Sequence, residues 1–504
     1  VPSTPSFLDP GPAVRRDPLP HWVDPADAFT ELYAGSRYAV WLDAGAGATT
    51  GMSYLAGAHE DSVVVTAYAG PDTVTRSRPL DLVDVPVTTV GSVFDVLRAE
   101  LAAPSGDVAD ATDDIGFRLG WVGWLGYGLT GATDTGQAGS TGAPDAALLH
   151  VDRAIAFDHA ARTVTLLTRP DPPAGESDAL GWVVDTSRRL TGLAQRPSDV
   201  PTPAATVGTG VAASTRPDSA EVHWRHDAAD YARLIGLCQQ RIAAGDAYQL
   251  CLTNEVTIAG RFDVGETYRN LRASSPSHHG GLLRFGEHAL LSASPEEFLS
   301  VSPSGRMRTR PIKGTRPRSD EPARDEELRA ELLASDKERA ENLMIVDLMR
   351  NDLGRAAALG SVAVTGLLEV ESYPHVHQLV STVEARLAPG LTALDAVTAA
   401  FPAGSMTGAP KASAMSILAA LEKGRRGVYA GAFGYLGQDG TVDLAMVIRS
   451  IVLGPDGVSI GTGGGITALS VAEEEIEETR IKAAALIGAV LGSAHTRDRA
   501  GGEV

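Results

Sequence analysis

Cysteine is nearly absent from this chain. Only Cys238 and Cys251 occur in 504 residues, too few for a disulfide framework, and both read as core positions of a cytoplasmic protein. Long apolar runs are absent as well. No stretch reaches the 18 or more residues that a membrane span needs, and the Pro-rich start, Val1 to Arg16, has no apolar h-region, so neither a membrane nor a signal peptide is expected. Positive charge is short: 43 Lys and Arg stand against 63 Asp and Glu, a formal charge of −20, which argues against nucleic acid as a partner. Lysine is scarcest, with Lys313, Lys337, Lys411, Lys423 and Lys482 the only five. Each is therefore worth a chemical question, and an anionic substrate would need a local cation or a metal.

What is present is ordinary for a large globular protein, 43% apolar and 21% charged. Short apolar runs at Tyr38–Leu42, Ser62–Ala67 and Thr163–Leu167 alternate with Gly, Pro and Asp turns, so residues 1–195 read as a strand-rich N-terminal domain. Gly120–Tyr127 (GWVGWLGY) mixes glycine with tryptophan, which suggests close packing rather than a loop. A linker is expected over 196–225, where Pro, Thr, Ala and Ser predominate without periodicity. The catalytic domain would occupy 226–492, with a tail at 493–504. In it, helical patterns at Asp227–Ala244, Ser335–Asn351, Ala393–Phe401, Pro410–Leu421 and Val471–Leu491 are interspersed with strand-like runs at Tyr248–Leu252, Ala289–Ser292, Val428–Leu436, Thr441–Val452 and Gly457–Gly461. The mixture predicts an α+β fold.

Chemistry concentrates at four places. Glu338 and Glu341 share one helix face, and Glu475 and Glu478 share another. Two such faces opposed would suit Mg²⁺, although acidic residues in a first turn also serve capping and the helix dipole. Gly461–Ile466 (GTGGGI) follows a strand, and its amides could approach an anion, or it is a plain turn; it is no Walker loop. Lys313, in Pro-Ile-Lys-Gly-Thr, would become a nucleophile if desolvation depressed its pKa. Glu296, after an apolar strand, would be a general acid if buried.

Taken in order, SASPEEF (292–298), RPIKGTRPR (310–318), ERAENLMIVDLMRNDLGR (338–355), FPAGSMTGAPK (401–411), GVYAGAFGYLG (427–437), IRS (448–450), GTGGGI (461–466) and EETRIKA (477–483) resemble the chorismate-binding enzymes. That family includes anthranilate, aminodeoxychorismate, isochorismate and salicylate synthases. The resemblance implies the anthranilate synthase component I-like fold, two large, mainly antiparallel sheets packed as a sandwich with flanking helices. It implies Mg²⁺ on Glu341 and Glu478 with Glu338 and Glu475 beside them, and chorismate held by Arg449, Tyr429, Lys482 and the amides of Gly463, Gly464 and Gly465, in a pocket lined by Thr315 and Ser405.

Three positions choose among branches. The water-activating members resembled carry a lysine base where this chain has Gln249, which cannot deprotonate water. The anthranilate branch typically has Ala at Lys313, and His at Gln378. All three departures point towards the aminodeoxychorismate branch, with anthranilate or 2-amino-2-deoxyisochorismate synthesis as the alternative. In that branch Lys313 would attack C2 of chorismate while Glu296 protonates the leaving 4-hydroxyl, and ammonia would displace the lysine to give 4-amino-4-deoxychorismate. Neither cysteine context fits a glutaminase nucleophile, so ammonia is expected from a separate glutamine amidotransferase subunit. Whether tryptophan binds the N-terminal domain stays open; Ser36-Arg-Tyr-Ala and Met52-Ser-Tyr are candidates only.

Overall fold

The computed structural model describes residues 14–70, 73–101, 116–130, 140–169, 175–195, 221–373 and 376–492. The expected linker falls outside the described residues over 196–220, as does the tail.

Two 12-stranded sheets dominate, and every strand pairing in them is antiparallel. Both sheets draw strands from either side of residues 196–220. In the first, Tyr38–Asp43 pairs with His279–Phe285; in the second, Gly120–Leu125 pairs with Ala432–Gly437. Strand periodicity sorts the side chains. Val122 and Trp124 face inward with Phe433, Tyr435 and, from the opposite sheet, Val40, Leu283 and Leu290. Trp121 and Leu125 face outward into a second core. All six residues of Gly120–Leu125 are buried, which bears out the close packing expected there. The sheets approach so closely that a Cβ on Gly281 would lie 2.7 Å from the Phe433 ring.

Helices cover both outer faces. Leu271 of the helix Val264–Ser274 and Leu486 of Ala472–Leu491 pack on the first sheet. Ile345 and Met349 of Asp336–Gly354, with Val397 of Ala393–Ala400, pack on the second. The result is the expected α+β sandwich with flanking helices.

Two expectations need correction, and both bear on the site. Thr441–Val452 reads as one strand, but the chain divides it between the sheets: Val442–Met446 lies in the second and Ser450–Gly454 in the first. The crossing leaves Arg449 at φ +50°, a left-handed conformation that side chains adopt only when the surroundings impose it. A second crossing runs beside it, from His288–Ser294 in the first sheet to Glu297–Val301 in the second. The two are hydrogen-bonded together, Ala293 N–H to Arg449 O (3.1 Å) and Met446 N–H to Glu296 O (3.0 Å). Nor is Gly461–Ile466 a turn. It continues the strand Gly457–Ile466, paired with Gln249–Ala259 from Ala259↔Gly457 to Leu250↔Ile466; the alternation that would reveal a strand is hidden because glycine supplies no side chains to alternate.

Behind these strands lies a buried ion pair. Arg426 donates to both oxygens of Glu422 (2.7 and 2.9 Å), to Met406 O (2.6 Å) and to Cys251 O (2.8 Å), while its guanidinium lies 4.2 Å from the Tyr127 ring centroid. Glu422 accepts a further bond from Thr253 N–H. Both side chains are almost wholly buried, so removing one leaves an uncompensated charge. Arg426→Met should therefore lose about 3–5 kcal/mol of stability in urea unfolding; a loss under about 1 kcal/mol would show that the pair is not a structural hub.

Candidate active site

The two crossings open into a cavity of about 1040 Å³. Every candidate site residue borders it: Lys313, Glu296, Thr315, Ser405, Tyr429, Arg449, Lys482, Gly463–Gly465 and the four glutamates. The sequence places them over nearly two hundred positions; the fold gathers them around one space.

Lys313 and Thr315 stand on Ile312–Pro317, a short strand hydrogen-bonded to Val376–Arg386 through a bulge between Ile312 and Thr315. Gly314 between them has φ +83°, and a Cβ there would meet Leu332 and Glu338 within about 3.0 Å, so the turn needs glycine. Glu296 sits on the first crossing and Arg449 on the second. Ser405 occupies the turn Gly404–Met406, which Lys411 pins from below by donating to Asp352 (2.7 Å), Ala400 O (2.9 Å) and Pro402 O (2.9 Å). Glu338 and Glu341 project from the first turns of Asp336–Gly354, Glu475 and Glu478 from those of Ala472–Leu491.

The glycines do two different things. Lys482 donates to Gly463 O (2.8 Å), which turns the Gly463 peptide away from the partner strand. In an antiparallel ladder N–H and C=O of one residue share a side, so Gly463 and Gly465 present their amides at the open edge. Gly464, opposite Leu252, is turned into the ladder, and its amide does not face the cavity. It contributes by having no side chain: a Cβ would lie 2.8 Å from Glu475 Oε2. Likewise a Cβ on Gly461 would fall 2.0 Å from the Tyr429 ring, and one on Gly465 2.1 Å from Gln249 Nε2.

Charge in the cavity is strongly perturbed. Burial pushes Glu296 up to about 7, with Lys313, Ser405 and the Ile312 amide pulling the other way. Burial alone would lower Lys313, but Glu341, Cys251, Glu296 and Glu478 together hold it above the ordinary amine range. The expected depression of Lys313 is thus reversed by its carboxylate neighbours, and in the unliganded site it is an ammonium. Burial raises Glu341, with Glu338 and Glu478 adding to it against Lys313. Burial also acts on Glu478, yet its bond from Lys482 (2.5 Å) and the fields of Lys337 and Lys313 bring it below the usual value. Glu475 accepts from Ser470 Oγ (2.9 Å), and Glu338 faces Arg316 at 3.6 Å.

The four glutamates offer a hard cation oxygen donors from two helices on one cavity. Among the described residues no three His, Cys, Asp or Glu side chains are drawn close enough to cage an ion, so an ion there would keep part of its water shell. Sequence reasoning missed Lys337, Cys251 and the strip Ser274–Pro276, which also line the cavity. Scarcity marks Lys337 for attention, but nothing local places it here. Cys238 and Cys251 are both buried and their thiols held above the ordinary range by burial. Among the described residues no helix is long and apolar enough to cross a membrane.

A model of the chorismate binding enzymes matches residues 52–488. Aminodeoxychorismate synthase of Streptomyces griseus is 41% identical over 475 residues, covering 93% of this chain and 63% of that protein. The chain thus spans less than two thirds of the length of the aminodeoxychorismate synthases it matches. Anthranilate synthase component 1 of Streptomyces coelicolor is 37% identical over 486 residues, covering 94% and 92%. The crystal structure of anthranilate synthase component I from Streptococcus pneumoniae matches with a TM-score of 0.67 at 27% identity, covering 90% of this chain and 92% of that one.

The raised carboxyl of Glu296 has a stability signature. Between its ordinary value of 4.5 and about 7, the folded state keeps a proton that the unfolded state has lost, so stability falls as pH rises through that window. Glu296→Gln lacks this titration. Relative to wild type, the variant should gain on the order of 3 kcal/mol between pH 4.5 and pH 8 in denaturant unfolding; a pH-independent difference would mean that Glu296 is solvated.

Proposed function

The chain belongs to the chorismate-binding enzyme family, and we propose that it aminates chorismate with ammonia to give 4-amino-4-deoxychorismate, a step towards 4-aminobenzoate in folate or specialised biosynthesis. The observation that carries this reading is the placing of Lys313 and Glu296 at one cavity wall, within each other's electrostatic reach. A lysine there supplies what amination at C4 needs and a water-activating site does not.

Ring and enolpyruvyl carboxylates require positive partners in a chain of charge −20. Arg449, Lys482 and the open-edge amides of Gly463 and Gly465 provide them for the enolpyruvyl end, with Tyr429, Thr315 and Ser405 shaping the pocket. Glu341 and Glu478, with Glu338 and Glu475 beside them, would hold Mg²⁺, which supplies charge to the ring carboxylate.

Within the reacting pair, one proton does two jobs. Passing it from Lys313 Nζ to Glu296, directly or through water, produces the free amine and the carboxylic acid together. Nζ then bonds to C2, both ring double bonds shift one place towards C4, and the C4–O bond breaks as Glu296 gives its proton to the hydroxyl, which departs as water. Ammonia adds at C4, both double bonds shift back, and the C2–N bond breaks to return the lysine, which regains its proton from the new ammonium group. Covalent catalysis here divides one difficult displacement into two. Ammonia would come from a glutamine amidotransferase subunit, because both thiols of this chain are buried in its core; the same reduced thiols fit a cytoplasmic enzyme.

Anthranilate synthesis is the second reading, favoured by a match along 92% of the Streptomyces coelicolor component 1. Incubating the chain with chorismate, Mg²⁺ and ammonium separates the two. A non-aromatic amino product that an aminodeoxychorismate lyase converts to 4-aminobenzoate supports the first; direct appearance of anthranilate overturns it. Lys313→Arg should lose at least about 100-fold in turnover, since guanidinium does not deprotonate; full activity would exclude the covalent step.

The shared proton also fixes the pH profile. Below about 7, the value to which Glu296 is raised, both members of the pair are protonated and no free amine can form. At constant free ammonia, kcat/KM for chorismate should rise as pH passes through about 7, a value belonging to the pair. A fall there would mean that Glu296 acts as an independent acid.

A further inference from the structure

We infer that Lys337 is the built-in counter-ion of the glutamate site, holding the two acidic helix ends together when no divalent cation is present and yielding its place when one enters. The inference rests on the reading of the four glutamates as a cation site.

Lys337 is the second residue of the helix Asp336–Gly354, just after its N-cap Ser335. A cation in a first turn opposes the helix dipole, which favours the acidic Asp336 and Glu338 on either side. A residue that breaks a local preference marks a demand from the tertiary surroundings. Here the demand is visible: Lys337 lines the cavity, and the charges of Glu341 and Glu338 from its own helix, and of Glu475 and Glu478 from the facing one, all act on its ammonium.

The three lysines of the cavity differ in how they are held. Lys482 is fixed by Glu478 and by Gly463 O. Lys313 is half-buried at the wall that also carries Glu296. Lys337 makes no ion pair or side-chain hydrogen bond among the described residues and is exposed, its four-carbon stem free to move. An ammonium so placed relieves repulsion among four carboxylates in the empty site. A divalent ion binding the same oxygens carries twice the charge and would displace it, and the exchange would weaken the apparent affinity for that ion.

The test uses the whole chain, stripped with EDTA, as wild type, Lys337→Met and Lys337→Arg. In EDTA at about 20 mM salt, Lys337→Met should melt a few degrees below wild type and recover at about 500 mM salt, where the Debye length shrinks below about 5 Å. Lys337→Arg should match wild type at both. Titrated with MgCl₂ alone by calorimetry, Lys337→Met should bind roughly 3- to 10-fold tighter than wild type at low salt, the order expected for removing one unit charge a few ångströms from the ion in a solvated site. Unchanged or weaker Mg²⁺ binding in Lys337→Met overturns the exchange. A melting loss that salt does not repair overturns the counter-ion role, since lost packing would behave that way. Absence of Mg²⁺ binding in wild type, alongside a salt-dependent melting loss in the variant, would sink the cation reading of the glutamates while leaving Lys337 as their counter-ion.

Discussion

The buried pair of Arg426 and Glu422 is the constraint on which the site's geometry depends. A guanidinium in the interior must satisfy its donors or destabilise the fold, and Arg426 does so by gripping three parts of the chain. Its bonds to Met406 O and Cys251 O join the turn that carries Ser405 to the strand that underlies the glycine run. Its face lies on Tyr127, so the first 195 residues are held to the same point. Glu422 also takes the Thr253 amide, on the edge of that strand away from the glycines, while the alternation of the ladder turns every second glycine amide towards the cavity.

Around that anchor the sandwich solves a problem of access. A core between two sheets is closely packed, and the cavity lies where two segments leave one sheet for the other side by side. Glu296 and Arg449 sit on those segments, where backbone of both sheets borders the cavity. Both kinds of element supply charge: the helices bring the four glutamates with Lys337 and Lys482, and the strand and crossings bring Lys313, Glu296 and Arg449. The site is thus a compact balance of opposite charges inside a protein that is acidic overall, and it differs from its surface in kind.

Much of this was legible in the sequence, for reasons that differ by residue. The helices of the second half announce themselves by periodicity, and the i, i+3 glutamate pairs follow from helical geometry alone. The ordered motifs identify the fold, since no single strand would. What escaped depends on tertiary context. Glycine-rich Gly461–Ile466 gives no alternating pattern, so its strand character was invisible until Gln249–Ala259 lay beside it. Thr441–Val452 is rich in Val, Ile and Leu on both sides of Arg449, and nothing local says that it changes sheets there. The direction of the Lys313 shift required knowing which carboxylates surround it, and those come from three distant segments.

The strand that carries Lys313 is short and hydrogen-bonded to the sheet along one edge, through a bulge. Its residues are only partly buried and contribute little to either main core. The side chain proposed as the nucleophile therefore rides on a peripheral element, while the anchoring pair, the crossings and the sandwich bear the burden of folding. Such a division leaves the scaffold tolerant of change at this strand: a substitution at position 313 alters the cavity wall without disturbing the elements that hold the fold together.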